Sequence, residues 1–191
     1  QKVPFYEQET GPGLVLIEGG TFEMYLEQDS VISDEKMQVV VPSYYLDEKE
    51  VTNESYLEYL YWTKRTFSID FPLVYQNALP DTLVWEGEMG SAGNYIQNYL
   101  RHPAYRNYPV VGVSWMQANN YCAWRTDRVN EFILIREGVL MHNPDQINED
   151  HFNTQAYLAG QYESGVASYL PDLNPSNPGR KSGDYGDRRV I

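Results

Sequence analysis

Three histidines are the side chains here that could bind a transition metal or transfer protons near neutral pH. His102, His142 and His151 are scattered along the chain, whereas the zinc-protease motif places two histidines four residues apart on one helix. The spacing therefore indicates surface or loop histidines, and we predict no metal ligand among them.

The acidic loop at 145–150 offers oxygen ligands of the kind that Ca²⁺ prefers. Asp145, Asn148, Glu149 and Asp150 supply them, without the alternating spacing and central glycine of an EF-hand loop. Two interpretations stay open: a solvated loop that binds nothing, which the spacing favours, and a calcium site.

Ser114 and Cys122 are the candidate nucleophiles. Ser114 has no surrounding G-x-S-x-G turn, and a role as a helix cap accounts for it. Cys122 is the sole cysteine, which excludes an internal disulfide and a metal site made of cysteines alone. Its place on the apolar side of a predicted helix indicates a buried, unreactive thiol.

Two glycine-containing segments are candidates for phosphate-binding loops. Gly19-Gly20 and Gly87…Gly93 are typical of turns, because no basic residue or helix start follows them as a phosphate-binding loop requires. The sequence pattern brings no nucleophile, base and oxyanion-stabilising group together. We therefore predict a protein that is not an enzyme, with no catalytic, cofactor-binding or metal-binding residues.

The composition indicates one folded domain, spanning 1–191, that contacts other proteins. The chain is 42% hydrophobic and 21% charged, which suits a domain with a sizeable core. Its net charge of −13 argues against nucleic acid or an anionic lipid surface as the main partner. Its 17 tyrosines are typical of protein–protein contacts, because tyrosine joins a large apolar body to a polar tip.

The elements that would position these residues centre on one strand–helix junction. Tyr108-Pro-Val-Val-Gly-Val-Ser-Trp115 predicts a short strand that turns into a helix, since Ser114 and Gln117 can form a capping box. The helix should run to about Glu137, where Gly138 favours a stop. Its predicted apolar face comprises Ala118, Cys122, Val129, Phe132, Ile133 and Arg136.

A second helix and several strands are predicted before the junction. The helix should begin at Thr52 or Asn53 and end near Phe67, with its carboxylates as partners for Arg125 and Arg128. Leu57, Leu60, Tyr61 and Lys64 should lie on one side of it. The strands are a hairpin of 13–18 with 21–24 and extended segments at 37–41 and 44–46, separated by a polar loop at 26–36.

Residues 68–106 form a turn-rich, aromatic insertion, with a strand predicted at Thr82–Trp85 and a short helix around 95–100. So long an irregular segment in a compact domain usually serves function or partner contact. The candidate partner contacts are Trp85, Tyr95, Tyr99 and Tyr105. Beyond the long helix we predict a short helix from Thr154 to Tyr162, an open loop at 171–187 and a strand at 188–191.

Three motifs in order resemble the formylglycine-generating enzyme/sulfatase-modifying factor superfamily. They are Leu14-Val-Leu-Ile-Glu-Gly-Gly-Thr-Phe22, Tyr45-Leu-Asp-Glu-Lys-Glu-Val-Thr-Asn53 and the strand–helix junction, continued by Tyr121-Cys122 and Trp124-Arg125. The resemblance implies an α+β fold related to C-type lectins, with two main helices on twisted antiparallel strands. It also implies that the chain is the N-terminal part of a longer domain.

Four further segments resemble the gliding-motility lipoproteins of the GldJ kind, which belong with the type IX secretion apparatus. They are Tyr59-Leu-Tyr-Trp-Thr-Lys-Arg-Thr-Phe67, Ala78-Leu-Pro-Asp-Thr-Leu-Val-Trp85, Tyr99-Leu-Arg-His-Pro-Ala-Tyr105 and Trp124-Arg-Thr-Asp-Arg-Val-Asn-Glu131. This resemblance implies a structural component on the periplasmic face of the outer membrane, held by a lipid anchor. Its implied partners are GldK- and GldN-like subunits.

The chain departs from the enzymes of the superfamily at their cofactor site. Those enzymes carry a copper-binding cysteine pair in their C-terminal half, whereas these 191 residues hold one cysteine, placed in the helix motif. An oxidase acting on sulfatase cysteines is therefore the alternative function. A lectin-like module that binds glycan or calcium is a further alternative, given the implied fold and the acidic loop.

Overall fold

The computed structural model of the protein describes residues 10–28, 31–86 and 93–162. The chain divides into two compact units, Gln1–Lys49 and Glu50–Ile191. The predicted loop at 171–187 and strand at 188–191 lie outside the described residues. Strands occupy the first unit and helices the second, which agrees with an α+β class.

The first unit contains two antiparallel ladders of two strands each. The first strand pairs with the fourth and the second with the third, with Leu14 opposite Asp47 and Gly20 opposite Val41. Large apolar side chains on both ladders, such as Phe22 and Leu46, are exposed. The strands are β1 (Leu14–Ile17), β2 (Gly20–Gln28), β3 (Val31–Val41) and β4 (Tyr44–Asp47).

Two predictions for the first unit are wrong. Residues 13–18 and 21–24 do not form a hairpin, and the predicted loop at 26–36 is mostly strand. Gly19 permits the observed pairing, because a Cβ there would lie 2.5 Å from the Ser43 main-chain nitrogen. This close approach, with a 2.9 Å bond from Gly19 N–H to Ser43 Oγ, joins the β1–β2 connection to the β3–β4 connection.

The second unit is helical, and its two long helices begin at the predicted caps. Thr52 Oγ1 accepts the Ser55 N–H at 3.2 Å, and Ser114 and Gln117 form the complete capping box. Gly138, at φ +73°, follows the end of the longer helix as predicted. The helices are α1 (Asn53–Phe67), α2 (Pro72–Ala78), α3 (Gly93–Asn98), α4 (Trp115–Arg136) and α5 (Thr154–Leu158).

The buried faces of α1 and α4 differ from the predicted ones. Leu60 and Val129 are buried as expected, whereas Tyr61 and Lys64 are exposed. On α4, Ala118, Cys122, Phe132 and Arg136 are exposed, and Ile133 is half-buried. The cause is that both helices bury tyrosines and polar side chains, which a count of apolar positions leaves out. The buried residues are Asn53, Tyr56, Tyr59, Leu60, Thr63, Thr66, Tyr121, Val129, Asn130, Glu131 and Leu134.

Two apolar clusters form the core of this unit. One joins α1, α2 and α4 through three mutually packed tyrosines, with Tyr56 and Tyr121 stacked at 5.7 Å between ring centroids. The other lies at the end of α4, where Leu134 meets the segment that leads into α5. The members are Tyr56, Tyr59, Leu60, Ala78 and Tyr121 in the first cluster, and Leu134, Val139, Leu140, Phe152, Tyr157 and Tyr162 in the second.

The predicted strand before α4 is wrong. Pro109 makes a single isolated bridge to Thr52, and Val110 N–H donates to the Val51 carbonyl at 2.9 Å. The chain then turns at Gly112, whose φ is +75°. A Cβ there would lie 2.0 Å from the Asp81 carbonyl oxygen, so only glycine fits, and the turn prevents further pairing.

The insertion at 68–106 contains more helix than predicted. Pro72 begins α2, since proline suits the first turn of a helix. Thr82–Trp85 is a 3₁₀ turn and not a strand, because Asp81 Oδ1 accepts the Leu83 N–H and caps it. α3 confirms the short helix predicted around 95–100. The cap of α5 is Asn153, one residue before the predicted cap, Thr154.

Within the described residues, no helix is both long and apolar enough to span a membrane.

Candidate interaction surface

The four aromatic residues predicted as partner contacts lie together. Trp85 packs on Tyr95 at 5.4 Å and on Tyr99 at 4.9 Å between ring centroids. Tyr105 stacks on Tyr99 at 5.4 Å, and Tyr108 meets Tyr105 edge-on at 5.7 Å. We call these five residues the aromatic cluster. Edge-to-face and offset contacts of this length are the favourable arrangements of aromatic pairs.

Asn53 anchors the cluster, although the sequence pattern predicts it only as an alternative helix cap. Its buried side-chain amide donates to the carbonyl oxygens of Tyr99, at 3.1 Å, and Tyr105, at 2.9 Å. No local sequence pattern indicates this role, because the bonds join positions far apart in the chain. They fix the segment after α3 against the first turn of α1.

Exposure differs across the aromatic cluster. Tyr99 is 8% exposed, and its hydroxyl donates to the Pro109 carbonyl at 2.8 Å. Burial raises the pKa of Tyr99, with a further contribution from Tyr108. Tyr108 is 54% exposed, and Trp85, Tyr95 and Tyr105 are half-buried. Tyr99 is therefore the internal support, and the other rings form the surface.

The turn that carries Tyr105 is held at both ends. His102 Nδ1 accepts the Ala104 N–H at 3.2 Å and caps the turn, which gives this histidine a structural role. Glu54 N–H donates to the Arg106 carbonyl at 3.0 Å, and the Arg106 guanidinium forms an ion pair with the Glu54 carboxylate. That bond raises the pKa of Arg106.

Two other candidate sites have structural contacts. The His151 ring packs between Trp62 and Phe67, and the Asn148 side chain in the acidic loop bonds to Asp70. In residues 10–28, 31–86 and 93–162, no three histidine, cysteine or acidic side chains are grouped as metal ligands. The prediction that the acidic loop binds no metal is untested, and a calcium site stays the alternative.

Arg128 pairs differently from the prediction, which assigned it to carboxylates of α1. Its guanidinium bonds to Glu131 on its own helix at 2.5 Å and to the Phe152 carbonyl at 2.8 Å. It also lies 4.7 Å from the centre of the Trp62 ring. Burial lowers the pKa of Arg128, opposed by Glu131 and Asp127. This network ties α4 to the segment before α5.

A family model described as the sulfatase-modifying factor enzyme 1-like domain matches residues 1–149, which include the whole aromatic cluster and α4. No curated protein and no solved structure matched the chain.

Proposed function

Since the chain belongs to the sulfatase-modifying factor enzyme 1-like domain family, we propose that it uses this scaffold for protein contact and not for catalysis. In this proposal it is a structural component of the gliding-motility and type IX secretion machinery, of the GldJ kind. The four segments that resemble lipoproteins of the GldJ kind support the assignment to this machinery. The aromatic cluster supports the role in protein contact.

The observation that carries the proposal is the preorganised aromatic cluster. Tyrosine and tryptophan dominate the binding energy of protein interfaces, because they bury large area with few rotatable bonds. Here the rings are packed on one another and supported by Tyr99 and Asn53 before any partner arrives. A partner therefore has little side-chain entropy to remove on binding.

The proposed partners are GldK- and GldN-like subunits, and the proposed place is the periplasmic face of the outer membrane. In this proposal a lipid anchor holds the protein there. The net charge of −13 supports a protein partner over nucleic acid, which a strongly acidic chain repels.

Affinity capture of the full-length protein from its native cells tests this function. We expect GldK- and GldN-like subunits in the captured material and a loss of both when Tyr95 and Tyr108 are replaced by alanine. Recovery of neither subunit with the wild-type protein, under mild cross-linking, would contradict the proposal.

The oxidase remains the second candidate, because the family match favours it. Residues 1–191 contain one cysteine, Cys122, so a copper-binding pair would need cysteines from elsewhere in the full-length product. Titration of that product with Cu(I), followed by assay for formylglycine in a cysteine peptide, decides between the two. Conversion of the peptide would establish the oxidase.

A further inference from the structure

A groove runs along one face of α1, beside the turn that carries Tyr105. It has a volume of about 450 Å³. Its α1 residues recur at intervals of three and four, which places them on one side of the helix. The lining consists of Glu54, Leu57, Glu58, Tyr61, Pro103 and Arg106.

The charges in the groove do not cancel. Arg106 donates to both carboxylate oxygens of Glu54, so these two charges neutralise each other. The Glu58 carboxylate has neither an ion pair nor a hydrogen bond with any residue that the structure describes. The groove therefore carries one uncompensated negative charge.

The walls beside Glu58 are apolar and aromatic. Leu57 is half-buried and packs against the first core cluster, while Tyr61 is 72% exposed. Lysine and arginine side chains lie with their methylene stems on such surfaces and keep the charged head at a polar group. A ring face next to the head adds cation–π attraction.

We propose that the groove receives a lysine or arginine side chain of the protein partner that contacts the aromatic cluster. The inference rests on the proposed function, because it requires a protein partner. The stem would lie against Leu57 and Pro103, and the charged head would pair with Glu58 beside the Tyr61 ring. Tyr105, between Pro103 and Arg106 in sequence, belongs to the aromatic cluster, so one partner can reach both.

Charge decides among the possible occupants. An anionic group would meet the unpaired carboxylate of Glu58, and a second copy of this chain would bring a further net charge of −13. A basic segment is attracted both by the Glu58 carboxylate and by the net negative charge of the chain. Long-range attraction of this kind raises association rates at low salt.

Titration of the isotope-labelled protein with small amides, followed by amide resonances in NMR spectra, tests the groove alone. We expect N-acetyl-lysine amide and N-acetyl-arginine amide to shift resonances between Leu57 and Tyr61, and N-acetyl-norleucine amide to leave them unchanged. Glu58→Gln should weaken the lysine probe about three- to fivefold. Glu149→Gln, an equal change of charge at an exposed residue of the acidic loop, should not. Equal shifts with the norleucine probe, or equal binding to Glu58→Gln, would overturn the proposal.

Capture from cells separates this inference from the proposed function. Glu58→Lys should lower recovery of the partner subunits at least fivefold, while Glu149→Lys leaves recovery unchanged. If the Tyr95 and Tyr108 replacements abolish capture and Glu58→Lys does not alter it, the groove proposal fails and the function stands. If the lysine probe binds as expected and wild-type protein captures neither subunit, the function fails and only the groove's preference for basic side chains stands.

Discussion

The side-chain amide of Asn53 lies 3.1 Å from the carbonyl oxygen of Tyr99, although the two residues are 46 positions apart in the chain. The same nitrogen lies 2.9 Å from the carbonyl oxygen of Tyr105. Asn53 is buried in the first turn of α1, so one side chain joins the start of a core helix to the aromatic cluster.

Replacing Asn53 by alanine should lower the free energy of unfolding by about 2–3 kcal/mol, because two carbonyl groups lose their donor. Asn53→Asp should be equally harmful, since a carboxylate of the same shape cannot donate. Urea unfolding measures both. Asn120→Ala, an exposed change on α4, is the control and should stay within about 0.5 kcal/mol of the wild type. Equal stability of the Asn53 and Asn120 variants would contradict the anchoring role.

Gln117 has two separable roles at the start of α4. Its Oε1 accepts the Ser114 N–H at 2.8 Å, and its Nε2 donates to the Asn77 and Leu79 carbonyls at 2.9 and 2.8 Å. Ser114→Ala should cost about 1 kcal/mol through the lost cap.

Gln117→Glu keeps the acceptor and loses the donor, so it should cost about 1 kcal/mol through the link to α2 alone. Thermal unfolding of the two single variants and the double variant measures both roles. A Gln117→Glu protein as stable as the wild type would show that the link to α2 contributes nothing.

Local signals in the sequence located the starts of the long helices. Ser114 with Gln117, Thr52 and Gly138 act through bonds or dihedral angles within a few residues, so their effect can be predicted from spacing alone. The aromatic composition of residues 68–106 also indicated the segment that carries Trp85, Tyr95, Tyr99 and Tyr105.

Most of the wrong predictions depend on distant contacts, although the cap that Asp81 gives the turn at Thr82–Trp85 is local. Gly19 and Gly112 allow the chain to approach the backbone of Ser43 and of Asp81 closely. No local sequence pattern indicates these approaches. Cys122 is exposed because the helix turns Tyr121 inward instead. Asn53 is a buried polar residue with partners in a later segment. The spacing of apolar residues therefore gives no indication of its role.

Alkaline pH should destabilise the protein through its buried tyrosines. Burial and the neighbouring Tyr59 and Tyr121 raise the pKa of Tyr56 above its ordinary value of 10.0. The folded chain therefore keeps a proton that the unfolded chain releases, so stability is full below about pH 10 and falls as the pH rises further.

Unfolding by urea between pH 8 and 11 measures this effect. Tyr56→Phe should flatten the alkaline decline and cost about 1 kcal/mol at neutral pH, because its hydroxyl donates to the Ala78 carbonyl at 2.9 Å. Tyr61→Phe, at an exposed ring, is the control. An alkaline decline of the same steepness in the Tyr56 variant would refute this cause.

Removing one partner of the Arg128–Glu131 pair should lower the free energy of unfolding more than removing one partner of an exposed ion pair. Arg128→Met leaves the buried Glu131 carboxylate without its cation, and we expect a loss of about 3 kcal/mol. Arg136→Met removes an arginine whose ion pair with Glu137, at 3.6 Å, is exposed, and should cost less than about 1 kcal/mol. Denaturant midpoints at constant slope give both values, and similar costs would contradict the structural role of Arg128.

The central claim is that the aromatic cluster is the partner-binding surface of a non-catalytic component. Quantitative mass spectrometry of GldK- and GldN-like subunits, captured with the full-length protein, tests it most directly. The paired variant Tyr95→Ala, Tyr108→Ala is compared with Tyr25→Ala, which removes a ring that is similarly exposed, at 53%, outside the cluster. We predict at least a tenfold loss of both subunits for the paired variant, since interface aromatics contribute about 2 kcal/mol or more, and full recovery for Tyr25→Ala. Full recovery with the paired variant, at unchanged stability, would contradict the account.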